Sequence, residues 1–321
     1  MIASAPTQEV DPTYEDEGFV VVPDVLGPEW LGSAIAEATA ICRGLRGDIE
    51  GAVPADERDD DAAVLGRYLC IHFPHKISSP MRDLARHRTV VDALVDVIGP
   101  NVKLVQSMLF IKAPGKPGQA WHQDESHIPT RDRSLTAVWL ALDDATIDNG
   151  CLWVIPGSHR RGVLYPTHDR PDARFDGTPA AHGFPHGAEE AIPVELPAGA
   201  ALVFDGYLLH RSLPNRTTRP RRALVNHYMS AESLLPWFPP RGGEPMGTLD
   251  HRDILLVAGD DPYAEKGTVD VVRPRLRPEP QRGSIPPVAR TSPLGGREMP
   301  VIRGVDPALT PSGAPPVRFR A

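Results

Sequence analysis

The feature that most limits the fold is a change of texture at Gly99. Beyond it the sequence is written in short apolar or alternating runs: KLVQSMLFIKAPG, LTAVWLALDDA, GCLWVIPGSH, AIPVELPAGAALVFDGYLLHRS and RRALVNHYMS. Gly, Pro, Asn and Asp punctuate them, as they do strands joined by turns. The pattern predicts an antiparallel sandwich or barrel, with the helices gathered at the front of the chain. The 36 prolines, about twice ordinary usage, suit a loop-rich β protein.

Ahead of Gly99, Phe19 to Val22 reads as a short strand. Trp30, Leu31, Ile35, Ala38 and Ile41 then recur at helical spacing, with Pro28 near the first turn. A second helical segment spans roughly Pro80 to Ile98, with Leu84, Val90, Leu94, Val95 and Ile98 on one side. Between the two, GDIEGAVPADERDDDAAVLG reads as a solvated acidic loop. All of this is assigned to one domain, residues 1–270. Residues 271–321 are rich in Pro and Arg and have no period. They read as a C-terminal extension, extended or partly disordered, draped over the domain or over a partner subunit in a homo-oligomer.

A formal net charge of −8 argues against a general nucleic-acid or acidic-membrane surface. No run of 18 or more apolar residues is present, so no membrane span is expected. The first residues, MIASAPTQEVDPTYEDEGF, lack an apolar signal core. Cys42, Cys70 and Cys151 are odd in number and widely spaced, which suits buried free thiols in a reducing, cytoplasmic setting.

Chemistry concentrates in AWHQDESH, residues 120–127. On a strand, positions i and i+2 share a face, so His122 and Asp124 would converge on one point. A third ligand must come from elsewhere. His210 ends a strongly apolar run and then meets a polar turn, which places it at the mouth of a barrel strand. Two His and one carboxylate, with open positions opposite, is the arrangement of non-heme Fe(II) oxygenases. Eleven residues past His210, Arg221 opens another strand. A buried guanidinium needs an anionic partner, and 2-oxoglutarate, with one end for the metal and one for the arginine, has the required shape. Arg222 would face the other way. A zinc hydrolase on the same triad, or a non-catalytic barrel with an internal polar network, would use these residues differently; the hydrolase does not require Arg221.

In this order and spacing, YEDEGFVVVPDVL, QSMLFIKAPG, WHQD, LTAVWLALDDATIDNGCLWVIPGSHRRG and HRSLPNRTTRPRRALVNHY resemble the phytanoyl-CoA dioxygenase family of Fe(II)/2-oxoglutarate oxygenases. The middle block is similar to its domain-containing subgroup. The resemblance covers roughly residues 14–230. It implies a double-stranded β-helix, a jelly-roll or cupin-like barrel, with N-terminal helices packed on one sheet. It implies iron ligation by His122, Asp124 and His210, and 2-oxoglutarate binding by Arg221, Ser212, Trp139, Met108 and Lys76. Dioxygen would be the oxidant. Since Asp124 keeps the ligand carboxylate that related halogenases lack, hydroxylation or another C–H oxidation of a small molecule is implied. Asn149, Gly150, Pro156, Gly157, Ser158 and His159 fit the same pattern as turn-forming residues. Gln106, Gln123, His127, Arg131 and the loop from Tyr165 to Glu190 are candidates for lining the substrate site, and Arg131, Arg160 and Arg161 for meeting an anionic substrate.

Overall fold

Two antiparallel sheets face each other across a lumen, and helices cover the outer side of the larger one. The computed structural model describes residues 12–53, 55–169, 172–233, 254–266 and 272–277. The strands are β1 (Phe19–Val22), β2 (Cys70–His72), β3 (Val102–Lys112), β4 (Gln119–His122), β5 (Thr136–Ala141), β6 (Leu152–Val154), β7 (Thr167–His168), β8 (Ala180–Ala181), β9 (Ile192–Val194), β10 (Ala201–Asp205), β11 (His210–Ser212), β12 (Arg221–Ser230), β13 (Leu255–Ala258) and β14 (Arg275–Leu276). The helices are α1 (Pro12–Glu17), α2 (Pro28–Cys42), α3 (Asp61–Gly66), α4 (Ser79–Leu84) and α5 (Arg88–Ile98).

The large sheet runs β1-β10-β5-β12-β3-β2-β14, with β13 also on β3; the small one runs β4-β11-β6-β9. Alternation sorts the side chains of the large sheet into two cores. Ala137, Trp139, Ala141, Ala223, Val225, Leu202 and Phe204 point into the lumen, where Leu152 and Val154 of the small sheet meet them. Val138, Leu140, Leu224, Leu109 and Ile111 point the other way, onto Ala38, Ile41, Met81, Leu84 and Leu94 of the helices. With both faces covered, TAVWLA of β5 is buried throughout and carries no charge instead of alternating. This is the barrel with helices on one sheet that the sequence predicts.

Local chemistry sets the boundaries. Pro28 opens α2, where its missing N–H costs nothing. The acidic loop is pinned, not free: Asp60 caps α3, and Arg43 and Arg67 pair with Asp61 and Asp59. The single helix expected from Pro80 to Ile98 is two, because α4 stops at Leu84 and the Ala85 carbonyl is taken by the Tyr228 hydroxyl at 2.9 Å. All three cysteines are buried free thiols. Among the described residues no helix is long and apolar enough to cross a membrane. Of the C-terminal extension, only residues 272–277 fall within the described part. They carry β14, which adds an edge strand to β2. The rest of the extension, and any oligomer contact it makes, lies outside the described residues, as do residues 1–11.

Candidate metal centre

The two histidines are cross-strand neighbours. β4 and β11 run antiparallel with His122 opposite His210, and a bulge after His210 brings Ser212 opposite Gln119. The strands pass close beside Gly118, where an added Cβ would lie 2.0 Å from the Ser212 carbonyl oxygen, so glycine is required there. Ser158 holds the approach to His210 by accepting the Leu209 amide at 2.9 Å. Asp124 departs from the expected strand geometry. β4 ends at His122, and Asp124 opens a 3-10 turn, Asp124–Ser126, that swings its carboxylate back toward both rings.

The tautomers follow from the partners. His122 Nδ1 lies 2.8 Å from the Ala120 carbonyl oxygen, and His210 Nδ1 lies 2.9 Å from that of Leu208. A carbonyl only accepts, so each Nδ1 carries the proton and each Nε2 presents a bare lone pair. These Nε2 atoms lie 3.6 and 3.7 Å from Asp124 Oδ1. The three ligand atoms all fall within 4.8 Å of one another, and His122, Asp124 and His210 form the one such group found among the described residues. Three electron-pair donors that converge without a shared proton fit a cation between them.

His227, on β12, donates from Nε2 to Asp124 Oδ2 at 3.0 Å, leaving Oδ1 for the two histidines. An outer partner of this kind fixes a ligand's orientation. Burial pushes the Asp124 carboxyl up. His210, His227 and His122 outweigh it and hold the group well below the usual carboxylate range. Burial, with His210, drives His122 well below an ordinary histidine. An ionised carboxylate and a neutral imidazole are the forms that bind a metal.

A second polar group lies farther along the lumen. In the β12–β3 register, Arg221 faces Lys112, Ala223 faces Phe110, Val225 faces Met108 and His227 faces Gln106, all on the parity of the lumen core. Arg221 is 2% exposed and Lys112 3%, so both cations are out of water. Arg221 lies 5.0 Å from the Trp139 ring centroid and donates to the Gly150 carbonyl at 2.8 Å, while its Nε has no hydrogen-bond partner. Lys112 Nζ donates to Ser212 Oγ at 2.8 Å, to the Leu213 carbonyl at 2.7 Å and to that of Gly150 at 3.3 Å. No described carboxylate makes an ion pair with either. Burial brings Arg221 down to about 10. Burial and Arg221 together take Lys112 well below an ordinary lysine. A buried guanidinium with a buried amine beside it, held only by neutral oxygens, suits a carboxylate.

The structure therefore brings together His122, Asp124, His210, Arg221, Ser212, Trp139 and Met108. Lys76 is placed otherwise. It sits in a 3-10 turn past β2, and its ammonium donates to the Val272 carbonyl at 2.5 Å; Cys70 and His72 occupy the inward positions of β2. Gln123 is an anchor for the long loop, since its amide is spent on the Val163 and Tyr207 carbonyls and the Tyr165 amide. Gln106 faces His227, and the His127 ring lies tilted beside that of His122 with centroids 6.3 Å apart. Arg131 is exposed and bonds Tyr263; Arg160 is exposed and pairs with Asp16; Arg161 is exposed as well. Arg222 pairs outward with Asp143, as expected of the opposite parity. Asn149 caps its turn through the Thr146 amide, and Gly150 takes a φ of +84° there. Lys112 and His227 are functional candidates that the sequence reading missed, although each lies on the strand parity of a residue it had chosen, Met108 and Arg221.

The family model for phytanoyl-CoA dioxygenase (PhyH) matches residues 14–223. "Phytanoyl-CoA dioxygenase 1" of Oryza sativa subsp. japonica is 39% identical over 132 residues, which is 40% of this chain and 45% of that protein. "Phytanoyl-CoA dioxygenase domain-containing protein 1" of Bos taurus is 32% identical over 181 residues, 56% of this chain and 57% of that protein. The chain thus spans about half the length of the curated relatives it matches. Among solved structures, the non-heme monooxygenase ThoJ in its apo form superposes with a TM-score of 0.60 at 23% identity, covering 85% of this chain and 89% of that one. The epimerase SnoN, in complex with Fe3+, alpha ketoglutarate and nogalamycin RO, gives 0.54 at 21%, covering 79% and 95%. These likenesses establish the fold.

Proposed function

The chain belongs to the phytanoyl-CoA dioxygenase family, and on that premise we propose that it is an Fe(II)- and 2-oxoglutarate-dependent dioxygenase that hydroxylates a small molecule. The observation that carries the reading is the pairing of two sites in one lumen. Two bare imidazole nitrogens and a carboxylate converge within 4.8 Å, and the buried pair Arg221 and Lys112 faces the same interior without an acid. A dicarboxylate with a metal-chelating end satisfies both.

His122, Asp124 and His210 would hold the iron, which supplies the dioxygen chemistry that couples oxidative decarboxylation of 2-oxoglutarate to oxidation of a substrate C–H bond. The chain's own residues have simpler tasks. His227 keeps Asp124 Oδ1 turned toward the histidines. The carbonyls of Ala120 and Leu208 keep the Nε2 atoms free of protons. Arg221, lying against Trp139, grips the far carboxylate of 2-oxoglutarate, and the Ser212 hydroxyl, which accepts from Lys112, has its own proton left to donate to that carboxylate. Trp139, Met108, Val225 and Phe204 line the space between with hydrocarbon and exclude water, which strengthens each polar contact inside. The ligand carboxylate of Asp124 occupies the position that a halide would need, and this favours hydroxylation.

The test is anaerobic binding of 2-oxoglutarate in the presence of Fe(II), followed by succinate formation in air. The wild type should bind the cosubstrate only with metal, and His210→Ala and Asp124→Ala should each abolish that binding. Metal-independent binding, undiminished in both variants, would end the reading.

A further inference from the structure

Beyond the stretch matched by the family model, residues 14–223, the chain returns to the barrel at β14. This strand runs antiparallel to β2, with Arg275 opposite His72 and Leu276 opposite Ile71. The register fixes the faces. Ile71 and Leu276 pack into the outer core beneath the helices. Cys70 and Met108 belong to the lumen core, and His72 stands opposite Met108. Alternation therefore turns Arg275 to the lumen side beside His72. Arg277, whose amide donates to the Cys70 carbonyl at 2.9 Å, returns to that side two residues later. An edge strand delivers two arginines to the face that Met108 lines.

The segment is fastened in place. Lys76 donates to the Val272 carbonyl, the Glu50 amide to that of Pro274 at 2.9 Å, and the Leu276 amide to that of Glu50 at 2.9 Å. The guanidinium of Arg277 is 16% exposed. It lies 3.3 Å from Asp176 of the long loop, and it also bonds Thr178. Asp176 Oδ1 is already engaged by the amide and hydroxyl of Thr178, so Arg277 Nη1 meets only Oδ2, as an ion pair without hydrogen-bond geometry. Arg275 lies 5.3 Å from the Phe73 ring centroid and has no carboxylate partner among the described residues. His72 Nδ1 is likewise buried without a partner. Both arginines act on His72: burial first, then Arg275 and Arg277, bring it down to about 3. Two permanent cations, the half-buried Arg277 and the exposed Arg275, thus stand at one sheet edge, and among the described residues Asp176 is the one carboxylate paired with either.

We propose that Arg275 and Arg277 form the recognition site for an oxyanion group, carboxylate or phosphate, on the substrate, so that the enzyme selects anionic substrates. The anion is held at the β2–β14 edge while the hydrocarbon to be oxidised extends through the apolar lumen. This rests on the oxygenase reading above and adds the substrate class to it.

Calorimetric titration of the full-length protein, loaded anaerobically with Fe(II) and 2-oxoglutarate, tests the proposal with three eight-carbon probes: octanoate, octyl phosphate and the neutral octanamide. The wild type should bind at least one anion about tenfold or more tightly than the amide, as expected for a charge-assisted hydrogen bond. The anion preferred tells a carboxylate reader from a phosphate reader. Arg277→Met and Arg275→Met should each lose most of the preference and the double variant all of it, with 2-oxoglutarate affinity unchanged. The backbone pairing of β14 survives both changes, and melting temperature checks it; Arg277→Lys, which keeps the charge, should retain part of the preference. Equal binding of the three probes, no binding of any, persistence of the preference in the double variant, or a loss of 2-oxoglutarate affinity in its place would overturn it. A wild type that fails to bind 2-oxoglutarate with metal would instead sink the oxygenase reading itself.

Discussion

Replacing Lys112 by Met removes a buried positive charge while keeping the length and apolar stem of the side chain. Lys112 and Arg221 are cross-strand partners, whose Cβ atoms stand about 5 Å apart, so a carboxylate gripped by Arg221 would sit about 6 Å from the ammonium. At an effective dielectric constant of about 20, that attraction is about 3 kcal/mol, on the order of 100-fold in affinity. The free protein should notice the change far less. Three bonds to neutral oxygens are lost, but the cost of burying an ammonium disappears with them, and the two effects are of similar size. The expected result is a 2-oxoglutarate dissociation constant raised about 100-fold in anaerobic calorimetry, with a melting temperature close to that of the wild type. There is also a pH signature. Burial and Arg221 hold Lys112 well below an ordinary lysine, so its charge is present below that folded value and lost above it. Wild-type affinity for 2-oxoglutarate should fall as pH rises through this range, and the Lys112→Met profile should be flat there. An affinity within about threefold of wild type, in a variant that melts normally, would refute the electrostatic reasoning.

His227→Leu should weaken metal binding about 10- to 100-fold, the usual cost of losing an outer partner of a ligand, as read by competition with a chromophoric chelator; an unchanged metal affinity would mean that Asp124 needs no orienting. Glu37 binds Arg46 through both oxygens and accepts from Ser78 at the start of α4, and these bonds outweigh burial and lower its pKa. A lowered folded value gives stability that is present above the unfolded value, about 4.3, and lost as pH falls through the folded one. Glu37→Gln should therefore reduce the melting temperature at neutral pH and flatten its decline below about pH 4; parallel melting curves from pH 7 to 3 would contradict this.

The barrel was legible because alternation is written residue by residue in β3, β5, β10 and β12. The convergence of His122, Asp124 and His210 was legible because the His122–x–Asp124 spacing and the strand-ending His210 carry it in their order. What stayed hidden depends on contacts across the fold. Asp124 serves from a 3-10 turn whose position is set by the end of β4, and neither Gly nor Pro marks it. Nothing local marks Lys112, at the end of an apolar run; only its register with Arg221 shows its amine to be buried. His227 needed the turn at Asp124 to acquire its partner. The break between α4 and α5 has no Gly or Pro to mark it; the Tyr228 hydroxyl marks it instead. β14 is two residues with no period of its own, and only β2 makes it a strand. Gln123, in the middle of the chemistry-bearing octad, turned out to be loop carpentry.

Anomalous diffraction at the manganese edge, from crystals of the full-length protein grown anaerobically with Mn(II) and 2-oxoglutarate, tests the three-ligand centre most directly. The expected result is one strong peak bounded by His122 Nε2, His210 Nε2 and the Asp124 carboxylate, with the far carboxylate of 2-oxoglutarate on Arg221. A lumen without a peak at those three side chains, or a cosubstrate bound away from Arg221, would contradict it.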